Sequence, residues 1–567
     1  MRTFPIAALV LAGALALGLG LRVMFSVAPA SAPLLPTGAT VGGVPQGHIY
    51  TGCADEPDDV NPYTAHSIVA RRLIFSYTHD PLLEIDPVGG ELRPALAERF
   101  EVAPDGSSCT FTLRQGAKFA DGTPVTMEDA LFGWELKRAG HLPIGLVDDA
   151  YARVERVDVL DPLRFRVHFR GVHYAATRAV GESWLVGQKR FFVARIAAML
   201  AAGEPMPAVD TARFAALFDR IDQECGPGTG PYVLHNEVGG VSHWRRRQDV
   251  LLVRNEHCWR REVTRGSWNF AGIRTLWRDQ ASSLNALLLG EVDWFSSPRL
   301  TEVLAQHPRI AAGYEKLVYD YESLGVYRMV WNCATGPCAD PRVRRALAML
   351  CDRDGIVACF DGAAQKALAH AKPGRPEYPV DAAALPFDVA GSRRLLRDAG
   401  FDPAQGKPLR LVLLAMQGTE PLRRMVELFA DACKQAGIEL DLRARDLQGF
   451  VAEKKKRQWD GMLVLQSFRP WGDPYDFLHR DGHDNDGRWQ HPEADRLAAA
   501  ARAELDPARR AQLWLELHTL AIAEQPAALL VHPLASILRS RHLQGLVVGR
   551  NGLSIERAFV AAEHQRR

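Results

Sequence analysis

At 567 residues the chain exceeds what one hydrophobic core usually supports, so two or three lobes are expected. Its apolar fraction of 47%, charged fraction of 24% and formal net charge of +1 are those of a soluble globular protein, without the basic surplus of a nucleic-acid binder. The short run Lys454-Lys455-Lys456-Arg457 reads as a solvated helix face rather than a phosphate site.

The N-terminus has the order of a secretory signal: Met1-Arg2-Thr3, an apolar run from Ile6 to Leu21, then the small residues Ala28-Pro29-Ala30-Ser31-Ala32. Cleavage fits after Ala30 or Ala32, and Pro33 disfavours the second. Arg22 interrupts the apolar run and Val23 to Val27 extend it, so an uncleaved anchor stays open as the alternative. No cysteine ends the apolar region, which argues against a lipid anchor. Residues 1–32 are thus signal or signal anchor, and the Pro/Gly-rich 33–47 a linker.

Beyond the linker, strand and helix patterns alternate without an evident repeat. Phe100 to Phe119 reads as a β-hairpin with an extension: Pro104-Asp105-Gly106 is the turn and Cys109 to Leu113 alternates at the strand period. A helix follows Asp121-Gly122, with Thr126 as N-cap and Asp129 at the third helical position, a variant capping box. Phe165, Val167 and Phe169 alternate as a strand with one wet face. Gly226 to Gly230 is glycine-rich but leads into the strand-like Tyr232-Val233, so it is a turn; a phosphate loop needs a helix there.

Helices dominate later. Asp340-Pro341 gives an N-cap and a first-position proline, and Val343, Ala346, Leu347 and Leu350 form one apolar stripe. A second helix opens at Asp388 and closes at Gly400. A third runs from Pro421 to Ala436 and stops at Gly437. Ile438, Leu440 and Leu442 then alternate as a strand, and Met462 to Leu465 is a buried one. The alternation predicts an α/β lobe with covered sheet faces.

Sites of chemistry are weakly signalled. No G-x-S-x-G, H-E-x-x-H or G-x-x-x-x-G-K-[ST] occurs. His479, His483 and His491 lie among Asp481, Asp484 and Asp486, but the spacing suits a solvated loop better than a metal centre, and no metal or cofactor is expected. The nine cysteines are an odd number. Cys333 and Cys338 bracket a turn and are the pair spaced for a local disulfide.

Several stretches together resemble the extracytoplasmic solute-binding proteins that serve oligopeptide, dipeptide and nickel transporters (solute-binding family 5). These are Asp80-Pro81-Leu82-Leu83, Leu92 to Glu98, Pro104-Asp105-Gly106, Cys109 to Arg114, and Lys118 to Asp129. Gly228 to Leu234, Leu287 to Asp293, Asp340 to Leu347 and Gly472 to Leu478 follow in the family's order. The resemblance implies a two-lobed α/β fold with an extra domain inserted in the first lobe. Residues 45–85, 225–320 and 530–567 would form lobe I, 86–224 the extra domain, and 321–529 lobe II.

It also implies a non-enzymatic function: capture of a small, peptide-like solute between the lobes and delivery to the permease subunits of an ABC importer. The protein would be exported, monomeric and without a nucleic-acid partner. Cys53, Ala54 and Asp55 lie where the family offers a strand edge to the ligand. Arg469, Trp471, Asp473 and Tyr475 approach it from the second lobe. Peptide-binding relatives carry an aspartate, which receives the ligand's amino group, where this chain has Pro470. Asp473 and Asp476 are the residues left to replace it. Otherwise the solute is a blocked peptide, an anionic metabolite or a glycoside. A tethered receptor that senses without transporting is the alternative. A hydrolase with Cys53 as nucleophile comes third, against the reading of Cys53 as a small buried residue.

Overall fold

The computed structural model describes residues 48–565 apart from 143–150, 222–223, 235–242, 265, 298, 321–323, 468–472 and 550–551. The signal, the anchor alternative and the linker therefore lie outside the described residues. The chain forms two compact units: one holds residues 48–320 with 536–565, the other 324–535. Among the described residues no helix is long and apolar enough to cross a membrane.

Among the described residues, the first unit is organised by three sheets of three or more strands. Strand β1 (Ile49–Ala54) opens it, and β2 (Ala97–Val102) and β3 (Ser108–Leu113) form the predicted hairpin, with Gly106 at φ 68° in its turn. Helix α1 (Met127–Ala139) carries the predicted capping box: the Asp129 N–H donates to Thr126 Oγ1 at 3.3 Å and the Thr126 N–H to Asp129 Oδ2 at 2.9 Å. Strands β4 (Val154–Val159) and β5 (Arg164–Phe169) complete the antiparallel order β2-β3-β5-β4. Phe165, Val167 and Phe169 are buried while the residues between them are more exposed, as the alternation predicts. Phe111 opposes Phe165 in register with their rings stacked at 5.6 Å, and Trp184 closes this core by donating to the Ala130 carbonyl at 2.7 Å.

The same unit's largest sheet has the order β1-β8-β7-β6, built from β6 (Tyr232–Val233), β7 (Asp249–Arg254) and β8 (Gly272–Trp277), with Trp244–Arg245 also paired to β7. Between β7 and β8 lies a short helix, α2 (Arg260–Val263). The glycine-rich stretch before β6 is a turn pressed onto residues 77 and 78. A Cβ on Gly228 or Gly230 would lie 1.8 Å from Thr78 O or 2.4 Å from Tyr77 O, so only glycine fits. A third sheet joins β9 (Trp294–Phe295), the strand Ala535–Ser540 and β10 (Tyr314–Tyr319).

The second unit is an α/β layer structure. Its strands are β11 (Val326–Trp331), β12 (Ala364–Lys366), β13 (Arg410–Met416), β14 (Glu439–Arg445), β15 (Gly461–Gln466) and β16 (Ala527–Pro533). Their order is β12-β16-β11-β15-β13-β14. The two central strands β11 and β15 are buried at every position, the signature of strands covered on both faces. Helices α3 (Pro341–Ala348), α4 (Val389–Asp398) and α5 (Glu420–Ala436) begin and end close to where the sequence predicts. Asp340 and Asp388 act as N-caps, and Gly437 is left-handed after α5. Helix α6 (Leu447–Lys456) ends in the basic run, where Lys454 pairs with Asp486 and Lys456 with Glu453. The last helices are α7 (Tyr475–Leu478), α8 (Pro492–Ala503) and α9 (Pro507–Glu524).

The predicted strand forms as β14, with Leu442 42% exposed because β14 is the edge strand and only Ile438 and Leu440 reach the apolar layer. One expectation is corrected. All nine cysteines are free thiols: Cys333 Sγ donates to the Trp331 carbonyl at 3.4 Å while Cys338 is buried in the core.

Candidate functional site

In the first unit, β1 pairs with β8 on one side only, which leaves its other edge open among the described residues. Asp293 braces the start of that edge. Its carboxylate accepts from the Thr51 N–H at 2.8 Å, its own N–H donates to the Thr51 carbonyl at 2.7 Å, and His48 Nε2 lies 3.1 Å from it. Main-chain groups two residues apart on a strand point the same way. The N–H and C=O of Cys53 therefore continue the edge that Thr51 begins, and no described residue bonds them. Ala54 and Arg278 confirm the phase, since the Ala54 carbonyl accepts from the Arg278 N–H on the β8 side. Close packing keeps this strand in place: a Cβ on Gly52 would lie 1.9 Å from the Trp294 indole.

The three predicted positions differ in what they present. Cys53 points its thiol into an apolar cluster with Leu276, Leu287, Val292 and Phe295. Burial raises its pKa, against the opposing pull of Ser283 and Arg278. A thiol held protonated is a poor nucleophile, so the hydrolase alternative has no support here. Ala54 is buried and Asp55 exposed. What β1 offers a partner is main chain, not reactive side chains.

In the second unit, Arg469 and Trp471, with Pro470, fall outside the described residues. Asp473 and Tyr475 are described, and they belong to one tight network. Arg502 of α8 donates from Nε to Asp473 Oδ2 at 2.8 Å and from Nη2 to Asp476 Oδ1 at 3.1 Å. Its guanidinium stands 3.5 Å over the Tyr475 ring, and the imidazole of His479 stacks on that ring at 4.1 Å. The Asp473 carboxylate also accepts the Tyr475 N–H at 2.9 Å, just before α7. The Asp473 side chain is fully buried, and both carboxylates share the one arginine. Phe477, two residues on, stacks on His370 at 4.8 Å and lies under Arg328 at 4.9 Å.

The histidine-rich loop is thus partly structural. His479 Nδ1 accepts the Asp481 N–H at 3.0 Å, and His491 Nδ1 accepts the Ala494 N–H at 3.4 Å at the start of α8. A separate cavity of about 30 Å³, lined by Arg353, His370, Leu385, His518 and Gln525, has room for one or two waters and is too small for a solute. Sequence reasoning missed Arg502 and His479 as partners of Tyr475. It quoted Asp293 within a motif without seeing that it anchors β1.

Residues 91–489 match the family model described as bacterial extracellular solute-binding proteins, family 5 middle. Protein XP55 of Streptomyces lividans is 26% identical over 543 residues, covering 89% of this chain and 87% of its own. The periplasmic murein peptide-binding protein MppA of Escherichia coli is 25% identical over 444 residues, 73% of this chain and 75% of its own. The solved oligopeptide-binding protein AppA of Bacillus subtilis, in complex with a nonapeptide, superposes with a TM-score of 0.69 at 18% identity, over 91% of this chain and 99% of that one. That likeness establishes the two-lobed fold.

Proposed function

The chain belongs to family 5 of the bacterial extracellular solute-binding proteins, and on that premise we propose that it captures a peptide or peptide-like solute and delivers it to the permease of an ABC importer. One observation carries the reading of the site: the open edge of β1, where the N–H and C=O of Cys53 carry no hydrogen bond from the described residues beside the pair that Asp293 holds. An extended peptide adds to such an edge through its own main chain, which gives affinity without regard to side-chain identity. Cys53 and Asp55 contribute backbone, Ala54 between them lines the edge while its own carbonyl stays bonded on the β8 side, and Arg469, Trp471 and Tyr475 supply charge and aromatic surface. Asp473 acts by positioning Tyr475, since its carboxylate is committed to Arg502. Residues 45–85, 225–320 and 530–567 make up lobe I, 86–224 the extra domain and 321–529 lobe II. The protein works as an exported monomer, and an uncleaved N-terminal segment would tether it.

Pro470 narrows the solute. Proline offers no side-chain acceptor for an ammonium group, and Asp473 and Asp476 are both already engaged by Arg502. A buried ammonium without a partner is costly, so the solute is a peptide with a blocked amino terminus or an anionic peptide-like compound. Calorimetric titration with matched free and N-acetylated peptides tests this. The blocked series is expected to bind more tightly. Tighter binding of the free series would overturn the assignment, and loss of all binding in Gly52→Val, whose side chain must displace Trp294, would tie capture to β1.

A further inference from the structure

Strand β14 (Glu439–Arg445) ends the second unit's sheet, and among the described residues it pairs only with β13, in parallel register. On that side the Glu439 N–H donates to the Leu409 carbonyl at 2.9 Å, and the Arg445 carbonyl accepts from the Gln417 N–H at 2.6 Å. The direction of main-chain groups alternates along a strand, so residues 439, 441, 443 and 445 direct theirs to β13. The N–H and C=O groups of Leu440, Leu442 and Ala444 face outward. Of these, only the Ala444 carbonyl meets a described donor, Nη1 of its neighbour Arg445 at 3.0 Å.

The side chains alternate as well. Glu439, Asp441, Arg443 and Arg445 stand on one face of β14, and Leu440, Leu442 and Ala444 on the other. Leu440 packs against the apolar layer, while Leu442 stays largely open. Charged side chains ordinarily guard an edge strand against pairing. Here their order defeats the guard in one register, because the charged face reads acid, acid, base, base about Leu442. A second copy laid antiparallel with its two-fold axis at Leu442 sets Asp441 opposite Arg443 and Glu439 opposite Arg445, each twice by symmetry. The same register brings Leu442 against Leu442 and Leu440 against Ala444. Sliding by two residues either way sets Asp441 on Asp441 or Arg443 on Arg443. A one-residue slide turns the apolar face against the charged one. Parallel in-register pairing opposes every charge to itself.

We propose that β14 is a homotypic docking edge, to which a second copy of this chain adds antiparallel about Leu442 and so joins two sheets into one. The outward groups of Leu440, Leu442 and Ala444 supply about six main-chain hydrogen bonds across the axis. Glu439 is held by Arg410 at 2.8 Å and Asp441 by Arg443 at 3.0 Å, and both acids are exposed. Such pairs contribute little alone, so they exchange readily for partners on the other copy. A seven-residue edge buries less than the roughly 1,200 Å² of a standard interface, so the pairing is weak and reversible. No residue of the candidate solute site takes part. The working unit stays one chain, pairing is a concentration-dependent state of it, and the inference does not depend on the solute reading.

Sedimentation velocity of the full chain, from low micromolar to near-millimolar concentration, tests the edge. A reversible monomer–dimer equilibrium is expected, weakening as salt is raised. Asp441→Arg and Arg443→Asp, each alone, should weaken it about tenfold or more, because each opposes like charges at two symmetric places. The two substitutions combined exchange the charges and should restore pairing towards the parent level. Leu442→Pro removes an N–H that β13 does not use, so it should abolish the dimer while the fold is kept; should that variant fail to fold, the charge exchange still decides. A chain that is monomeric at every concentration, a dimer that the single reversals leave intact, or a lost dimer that the combined exchange does not recover would each overturn the proposal.

Discussion

Arg260 in the first unit and Arg502 in the second each hold two acidic side chains, and the two hubs do different work. Arg260 of the first unit donates to Asp80 at 2.8 Å and Glu84 at 3.1 Å, and all three side chains are nearly inaccessible. Trp259 adds a bond to Asp80 at 2.7 Å, so α2 is fixed to a segment about 180 residues earlier. Arg502 of the second unit holds Asp473 and Asp476 in much the same way but keeps 22% of its side-chain surface, and it lies on the face of Tyr475. Depth separates a staple of the fold from a support for a surface. The first is expensive to break because it strands charge in a dry interior. The second sets the position of an aromatic ring that stays partly open.

The largest effect is expected at the deeper hub. Arg260→Met should cost about 3–5 kcal/mol in denaturant unfolding, since buried Asp80 loses its cation and buried Glu84 its hydrogen-bond donor. Arg502→Met should cost less, about 1–3 kcal/mol, and should weaken solute binding as well; equal losses at both sites would erase the distinction. Tyr475→Leu removes the stacked ring beneath Arg502 and should cost about 1 kcal/mol of stability, with solute affinity, read by calorimetry, falling further than stability.

Glu84 sharpens the comparison through pH. Burial raises its pKa well above the ordinary 4.5, against the pull of Arg260, with Glu556 and Asp80 adding to the rise. The folded protein thus holds this proton where the unfolded chain has released it. The resulting stabilisation is complete below about pH 4.5 and is lost as pH rises through the folded value. Glu84→Gln should flatten that part of the profile of unfolding free energy against pH. An unchanged slope would show Glu84 to be ionised in the fold.

Local chemistry was the most legible part of the sequence. The Thr126 and Asp129 capping box, the Asp340-Pro341 start and the Gly437 stop each depend on neighbours a few residues away, and each appears in the structure. The strand through Leu442 was legible by alternation, but its place at the sheet edge was not, because alternation reports a strand and not its neighbours. Cys333 and Cys338 are near in sequence and pack against the same apolar cluster, yet both are free thiols. At the candidate site, the 473–476 segment was legible through its family motif. Arg502 was not: it sits in an alanine-rich helix 26 residues beyond Asp476, and no local pattern marks it as that residue's partner. The role of Asp293 was hidden in the same way, 242 residues from Thr51.

The central claim is that this chain is a solute trap. Native mass spectrometry of the exported protein, purified without unfolding and followed by identification of whatever is released, tests it most directly. The account predicts a bound peptide-like compound with no free amino terminus. A protein that is consistently empty, and that takes up neither blocked nor free peptides when they are supplied, would contradict it.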